Sequence, residues 1–421
     1  MSVSSLAVTG ARLDGAVVGL RAVDGVVSEV GPDVVAQPGD EVVDGSGLAL
    51  VPGLVNGHGH AAMTLFRGYA GDLPLMEWLQ TKIWPAEARL DDEDVYWGTR
   101  LACLEMIRSG TIRFWDMYWR PVAVSRAVED SGLRASVGMP LIDGMDPARG
   151  KEMCAEAVQA LDELGRCDPR VTPTLTPHGI YTVSEPTLEW VAQEAAARDL
   201  PVHIHFLETE DEVTGCIERT GEQPTPYLDR IGLLGPRVVL AHGCYLDDDA
   251  LALVGERGAT VVTNPVSNLK LAVGRVFPLA KARAAGIAVG LGTDGAASNN
   301  GLDLLQDVKF LALIQKHADG DPAACPATDA WAIATGAWAP VLGGVPTIAP
   351  GAPADFLLVR EDAPELGPGH LIDNLVYSAS GAVVDTTVVA GRVLMRNRVV
   401  DGEDEVRARA LERARRLGVA S

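Results

Sequence analysis

From Val51 to Trp338 the chain repeats one pattern: a short apolar run, then roughly 10 to 20 residues with helical periodicity, then the next apolar run. The runs predict strands at Leu50–Val55, Ile112–Met117, Arg134–Leu141, Val171–Thr176, Val202–Phe206, Val238–Ala241, Thr260–Thr263 and Ala288–Gly292. Eight strand–helix units point to an α/β fold in which a parallel sheet closes on itself as a (β/α)8 TIM barrel. One long irregular stretch, Ala61 to Leu90, follows the first strand, and long loops inside compact domains are usually functional. The two ends of the chain differ from this pattern. Residues 1 to about 50 read as Val-rich strands punctuated by Gly25, Gly31 and Pro32, and the tail returns to strands in "ADFLLV" and "TTVVAGRVLMRNRVV" before a charged helix from Glu403. Both ends are therefore expected to meet in a β-sandwich domain, residues 1–51 and 346–421, flanking a barrel of residues 52–345.

Charge narrows the possible partners. Lys and Arg number 35 against 57 Asp and Glu, and a net charge of −22 repels nucleic acid and anionic membranes. The six Cys are scattered without a CxxC pair, which argues against a zinc ribbon or a disulfide scaffold and for a reducing compartment. The opening "MSVSSLAVTG" lacks the basic and apolar regions of a signal peptide, and no run of about 18 apolar residues occurs, so a cytoplasmic location is expected.

Histidine placement carries the chemistry. Of eight His, six (His58, His60, His178, His203, His205 and His242) fall at or just past the C-terminal ends of predicted strands, where barrel active sites are built. In "NGHGH" and "VHIHF" the spacing i, i+2 projects two imidazoles to the same side of an extended chain. With Asp294 in "GLGTDG", three imidazoles and a carboxylate at one barrel mouth suit Zn²⁺ or Fe²⁺. His203 and His205 share a face, so spacing alone leaves open which of them is the ligand.

The motifs "PGLVNGHGH", "HIHFLET", "AHG", "NPVSNLKL" and "GLGTDGAASNN", with "GAPADFLLV" and "TVVAGRVL" in the tail, together resemble the amidohydrolase superfamily. Within it, "MTLFRGYAGDLPLMEWLQTKIWPAE" and "SNLKLA…GTDGAASNNGLD" are similar to deaminases of S-adenosylhomocysteine and 5′-methylthioadenosine. The resemblance implies one divalent metal, Zn or Fe, held by His58, His60, His205 and Asp294. It implies Glu208 as the proton shuttle, His242 as hydrogen-bond partner of the attacking hydroxide, and Asp294 as acceptor of the water proton. No Lys stands in "VTPTLTPHGIY", where binuclear relatives carry a bridging carbamylated Lys, so a mononuclear site is expected. The implied reaction is hydrolytic removal of the 6-amino group of an adenine nucleoside, and the implied assembly is a homo-oligomer.

For the substrate, the resemblance points to Glu77 as a carboxylate for the ribose hydroxyls and to His178 as a purine or sugar contact. Each also has a plain reading, Glu77 as a solvated loop charge and His178 as a structural histidine. Some homocysteine-accepting relatives carry an Arg soon after the third strand, where this chain has Met139. Arg149 is the alternative cation there, or else simply begins a water-exposed helix. Trp78, Trp84, Met63 and Leu65 are candidates for an apolar wall. The alternatives are the same machinery on another ring (aminodeoxyfutalosine, guanine, isoguanine or a chlorotriazine), or a hydrolase of cyclic amides.

Overall fold

The computed structural model describes residues 5–420. Parallel strands Leu54–Gly59, Thr111–Met117, Arg134–Gly138 and Val171–Pro173 form one sheet, and Val202–Phe206, Val238–His242, Thr260–Thr263 and Ala288–Leu291 form another. Between the two lie the short pair Pro140–Leu141 and Thr176–Pro177, with single bridges from Leu175 to Val202 and from Gly179 to His205. Pro140, Pro173 and Pro177 have no N–H to give to a ladder, which explains why the third and fourth strands are each broken in two. The expected closed ladder is therefore interrupted. The eighth and first strands meet through side chains and a single backbone bond: Asn56 bonds the Thr293 hydroxyl (2.7 Å) and N–H (3.0 Å), and the Asp294 N–H donates to the His58 carbonyl (3.0 Å).

The expected first strand, Leu50–Val55, is two strands. Leu48–Pro52 belongs to the flanking sheet, and the barrel begins with Leu54–Gly59. Gly53 separates them at a close approach, since a Cβ there would lie 2.4 Å from the Ile112 side chain. The stretch Ala61–Leu90 is not irregular either. It holds a 3-10 turn, Ala61–Phe66, and a helical run from Leu75 to Glu87 that includes a π segment at Leu79–Ile83.

Both chain ends do meet in β structure, but as one mixed eight-stranded sheet rather than two hydrogen-bonded layers. Leu48–Pro52 joins them: it pairs antiparallel with Phe356–Arg360 from the tail and touches Ser5–Leu13 through Arg12 and Ala49. The two-residue period of a strand sorts its side chains. Leu50, Phe356, Leu358 and Val388 pack into a core with Leu6, Val8 and Leu20, whereas Val51, Leu357, Val359 and Val389 face the large barrel core. The final helix, Glu403–Arg416, lies against the helix Asp92–Ser109, with Arg416 bonded to Asp94 and Arg108 to Glu403. Among the described residues no helix is long and apolar enough to cross a membrane.

Candidate metal centre and substrate cleft

The C-terminal strand ends bring His58, His60, His178, His205, Glu208, His242 and Asp294 to one cleft floor. His60 lies just past the first strand, and its turn is held by the buried Asp116, whose carboxylate accepts the Ala61 N–H at 2.6 Å. His242, Asp294 and Leu207, the residue before Glu208, have φ of 78°, 63° and 53°, a region that side chains other than Gly rarely adopt. Backbone strain of this kind, gathered at three strand ends around one point, marks positions that the surrounding fold holds for chemistry.

Hydrogen bonds define where the ring protons sit. His60 donates from Nδ1 to the Met117 carbonyl (2.7 Å) and His205 from Nδ1 to the His178 carbonyl (2.6 Å), so both turn Nε2 inward. The His58 Nδ1 lies 2.8 Å from Nε2 of His203, and the buried His58 Nε2 has no hydrogen-bond partner. The Asp294 Oδ1 stands 3.4 Å from Nε2 of His58 and 3.2 Å from Nε2 of His60, while Nε2 of His60 and of His205 are 3.3 Å apart. A tetrahedral Zn²⁺ with bonds of about 2.0–2.1 Å has donor–donor edges of about 3.3–3.4 Å. These three separations match the edges of a tetrahedral cation, and the donors fall in two overlapping groups, His58 with His60 and Asp294, and His58 with His205 and His242.

The electrostatics make the same demand. Burial presses His58 down to about 4 and both His203 and His205 well below the usual range, so these rings favour the neutral form, in which His58 and His205 can offer a lone pair to a cation. Burial would also lower His60, but the Asp294 carboxylate outweighs it and raises the ring to about 9. Burial would raise Asp294 in turn, yet the neighbouring His58 and His60 rings hold it well below the carboxylate range. Both shifts express the need for positive charge among these donors. The Asp294 Oδ2 is oriented from behind by the hydroxyls of Ser267 (2.7 Å) and Ser298 (3.0 Å).

On the open side of the donor set, His242 donates from Nδ1 to the Asn268 Oδ1 (2.8 Å) and presents Nε2 at 3.8 Å from the Glu208 carboxylate. Burial raises the Glu208 pKa, which favours its protonated form. The Glu208 N–H donates to Glu212 (3.0 Å), a carboxyl that burial pushes up to about 8.

Of the residues proposed from sequence for the substrate, His178 lines the cleft, bonded through Nδ1 to the Thr182 hydroxyl (2.9 Å). Glu77 and Arg149 are exposed and are not among the lining residues. Trp78, Trp84 and Met63 line the cleft, whereas Leu65 is buried behind it. Glu87, overlooked from sequence, enters the cleft, where burial raises its pKa and the Trp119 indole donates to it (3.2 Å). A signal for it existed: Leu75, Leu79, Ile83 and Glu87 recur every four residues and all line the cleft, so a helical reading would have put Glu87 on the inner face and Glu77 outside.

A barrel-type fold with histidine and aspartate donors gathered at its strand ends defines a class, the metal-dependent hydrolases. The chain belongs to the amidohydrolase family, whose model matches residues 49–394. It is 46% identical over 379 residues to a 5′-deoxyadenosine deaminase of Methanoregula boonei, covering 89% of this chain and 86% of that one. It is 42% identical over 398 residues to a 5-methylthioadenosine/S-adenosylhomocysteine deaminase of Archaeoglobus fulgidus, covering 93% of each. Among solved structures, an adenosine deaminase of Xanthomonas campestris with bound zinc superposes with a TM-score of 0.91 at 33% identity over 99% of both chains.

Proposed function

We propose that this protein is a hydrolytic deaminase of adenine nucleosides that uses one divalent cation, Zn²⁺ in first place and Fe²⁺ as the alternative. The observation that carries the reading is the buried Glu208 carboxyl, 3.8 Å from the His242 Nε2, beside His58, His60, His205 and Asp294, whose Nε2 and Oδ1 atoms approach one another to 3.2–3.4 Å. His58, His60, His205 and Asp294 would hold the cation. When bound, it acidifies water from a pKa of about 15.7 toward about 7 and so supplies a hydroxide nucleophile at neutral pH.

The chain's own residues do the rest. Glu208, whose pKa burial raises, delivers a proton to N1 of the purine, which makes C6 electrophilic. His242, fixed by Asn268, hydrogen-bonds the attacking oxygen, and Asp294 takes the proton that this oxygen loses. The new C6–O bond leaves a tetrahedral carbon. A proton passes to the 6-amino nitrogen, the C6–N bond breaks, and ammonia departs with an inosine-type product. Glu87 replaces Glu77 as the carboxylate for the ribose hydroxyls, and His178 contacts the nucleoside.

The same reading takes a nucleoside as the sole partner and a homo-oligomer in the cytoplasm as the working form. It keeps 52–345 as the catalytic unit and 1–51 with 346–421 as the flanking one. Ammonia release by the zinc-loaded protein from adenosine, 5′-deoxyadenosine and 5′-methylthioadenosine tests the reaction. Glu208→Gln is expected to keep its zinc and to lose about 10²- to 10⁴-fold in kcat. Turnover of free guanine or a chlorotriazine with none of any nucleoside would overturn the reading.

A further inference from the structure

The purine amino group must lie against Glu208, His242 and Asp294 if the proposed function holds, so the opposite end of the nucleoside, its 5′ carbon, points toward the cleft mouth. That mouth is apolar: Leu75 and Trp84 come from the helical run after the first strand, and Pro140 and Ile142 from the loop after the third. The carboxyl groups in the lining are Glu87, Glu208 and Asp294, and no Arg or Lys is among the lining residues. Of the cations near the cleft, Lys82 is exposed on the outer side of the helical run, and two others are engaged elsewhere. Lys270, beside the lining residue Leu271, bonds the Ala297 carbonyl and the Asn300 side chain, and Arg67 pairs with Glu105.

The loop that would have to deliver a cation is fastened with its own cation outward. Buried Asp143 follows Ile142 and accepts from the Ser184 N–H (2.9 Å), the Ser184 hydroxyl (2.6 Å) and the Thr187 hydroxyl (2.7 Å). Seven residues on, Gly150 packs so closely that a Cβ would fall 2.1 Å from the Thr187 hydroxyl, which presses the start of the helix Pro147–Leu164 against the same residues. Arg149, on the first turn of that helix, is exposed. A carboxylate entering the mouth would lose its water and meet apolar side chains, with no cation to pair with.

We propose that this site takes adenine nucleosides whose 5′ substituent carries no carboxylate, such as methyl or methylthio, and discriminates against 5′ groups that carry one. The inference rests on the deaminase reading above and adds the substrate class to it. It concerns the balance among substrates of one reaction, and a panel differing only at the 5′ position reads that balance.

The experiment compares kcat/KM of the zinc-loaded protein for 5′-deoxyadenosine, 5′-methylthioadenosine, S-adenosylhomocysteine and 5′-(3-aminopropylthio)adenosine, which lacks only the carboxylate of the third compound. S-adenosylhomocysteine is expected to be slower than 5′-methylthioadenosine by about 100-fold or more, with most of the loss recovered by the aminopropylthio compound. Ile142→Arg, which places a cation at the mouth, is expected to raise the ratio of S-adenosylhomocysteine to 5′-methylthioadenosine turnover by about 10-fold. The inference is overturned if wild-type enzyme handles S-adenosylhomocysteine within about 3-fold of 5′-methylthioadenosine. An aminopropylthio compound as poor as S-adenosylhomocysteine would also overturn it, because length and not charge would then govern. Ammonia from none of the four would remove the deaminase reading and this inference with it.

Discussion

His203 has a role that only its neighbours define. For His58 to offer Nε2 to a cation, its ring proton must be on Nδ1 and must go to the Nε2 of His203, 2.8 Å away. That arrangement puts the His203 proton on its own Nδ1, which is buried without a partner, so the acceptor role comes at the cost of an unsatisfied donor. His203→Phe keeps a ring in place and removes the acceptor. Zinc affinity, measured by chelator competition, is expected to fall about 10- to 100-fold; unchanged affinity would show that the His58 tautomer is set by something else. The pairing also explains why spacing could not choose between His203 and His205. Both face the same side of the strand, and only depth separates the residue behind His58 from the one beside His60. Glu212 yields a prediction in pH. Its folded pKa of about 8 exceeds the ordinary 4.5, so the folded state holds a proton that the unfolded state releases, and this contribution to stability is lost as pH rises from about 4.5 through about 8. Glu212→Gln removes that dependence. The Tm of wild type relative to the variant should therefore fall as pH rises across the window, and a constant difference would contradict the assignment.

At the scale of elements, the helical run from Leu75 to Glu87 shows why half of the substrate site was illegible. The metal-side histidines end strands, and a strand end is marked by an apolar run that stops, so His58 and His60 stood out. The cleft wall instead comes from short helical pieces, including a π turn at Leu79–Ile83, in a stretch where glycines and a proline suggest a loop. Read as a loop, with the four-residue recurrence of Leu75, Leu79, Ile83 and Glu87 passed over, the stretch makes Glu77 and Glu87 look alike. In the structure they differ sharply, one exposed and the other buried enough to raise its pKa. Glu87→Gln is accordingly expected to lower kcat/KM for a nucleoside by about 10- to 100-fold, the range of one hydrogen bond to a charged group, and to leave zinc content intact. Glu77→Gln serves as the paired control; a larger loss there than at Glu87 would reverse the assignment. The barrel's first strand was misjudged for a different reason. Leu50, Val51, Leu54 and Val55 are all apolar and buried, and two adjoining strands read as a single one when only Pro52 and Gly53 interrupt the run.

Across the whole molecule, the flanking sheet is tied to the barrel by apolar packing and by one well-formed ion pair. Arg134, on the third barrel strand, grips the fully buried Asp355 at 2.6 and 3.2 Å, and Asp355 also accepts the Ala390 N–H (2.6 Å). Arg134→Ala leaves that carboxylate buried and unpaired, and the expected loss is about 3–5 kcal/mol, read as a lower midpoint in denaturant. A midpoint within experimental error of wild type would show that water reaches Asp355. Leu48–Pro52 has a further consequence, one that concerns synthesis. Its partner Phe356–Arg360 emerges from the ribosome some 300 residues after it, about 15 to 60 s at ordinary rates of elongation. Through that interval the nascent chain carries an unpaired apolar strand edge, open to pairing with neighbouring chains, and the sheet cannot be completed until the later strand has emerged.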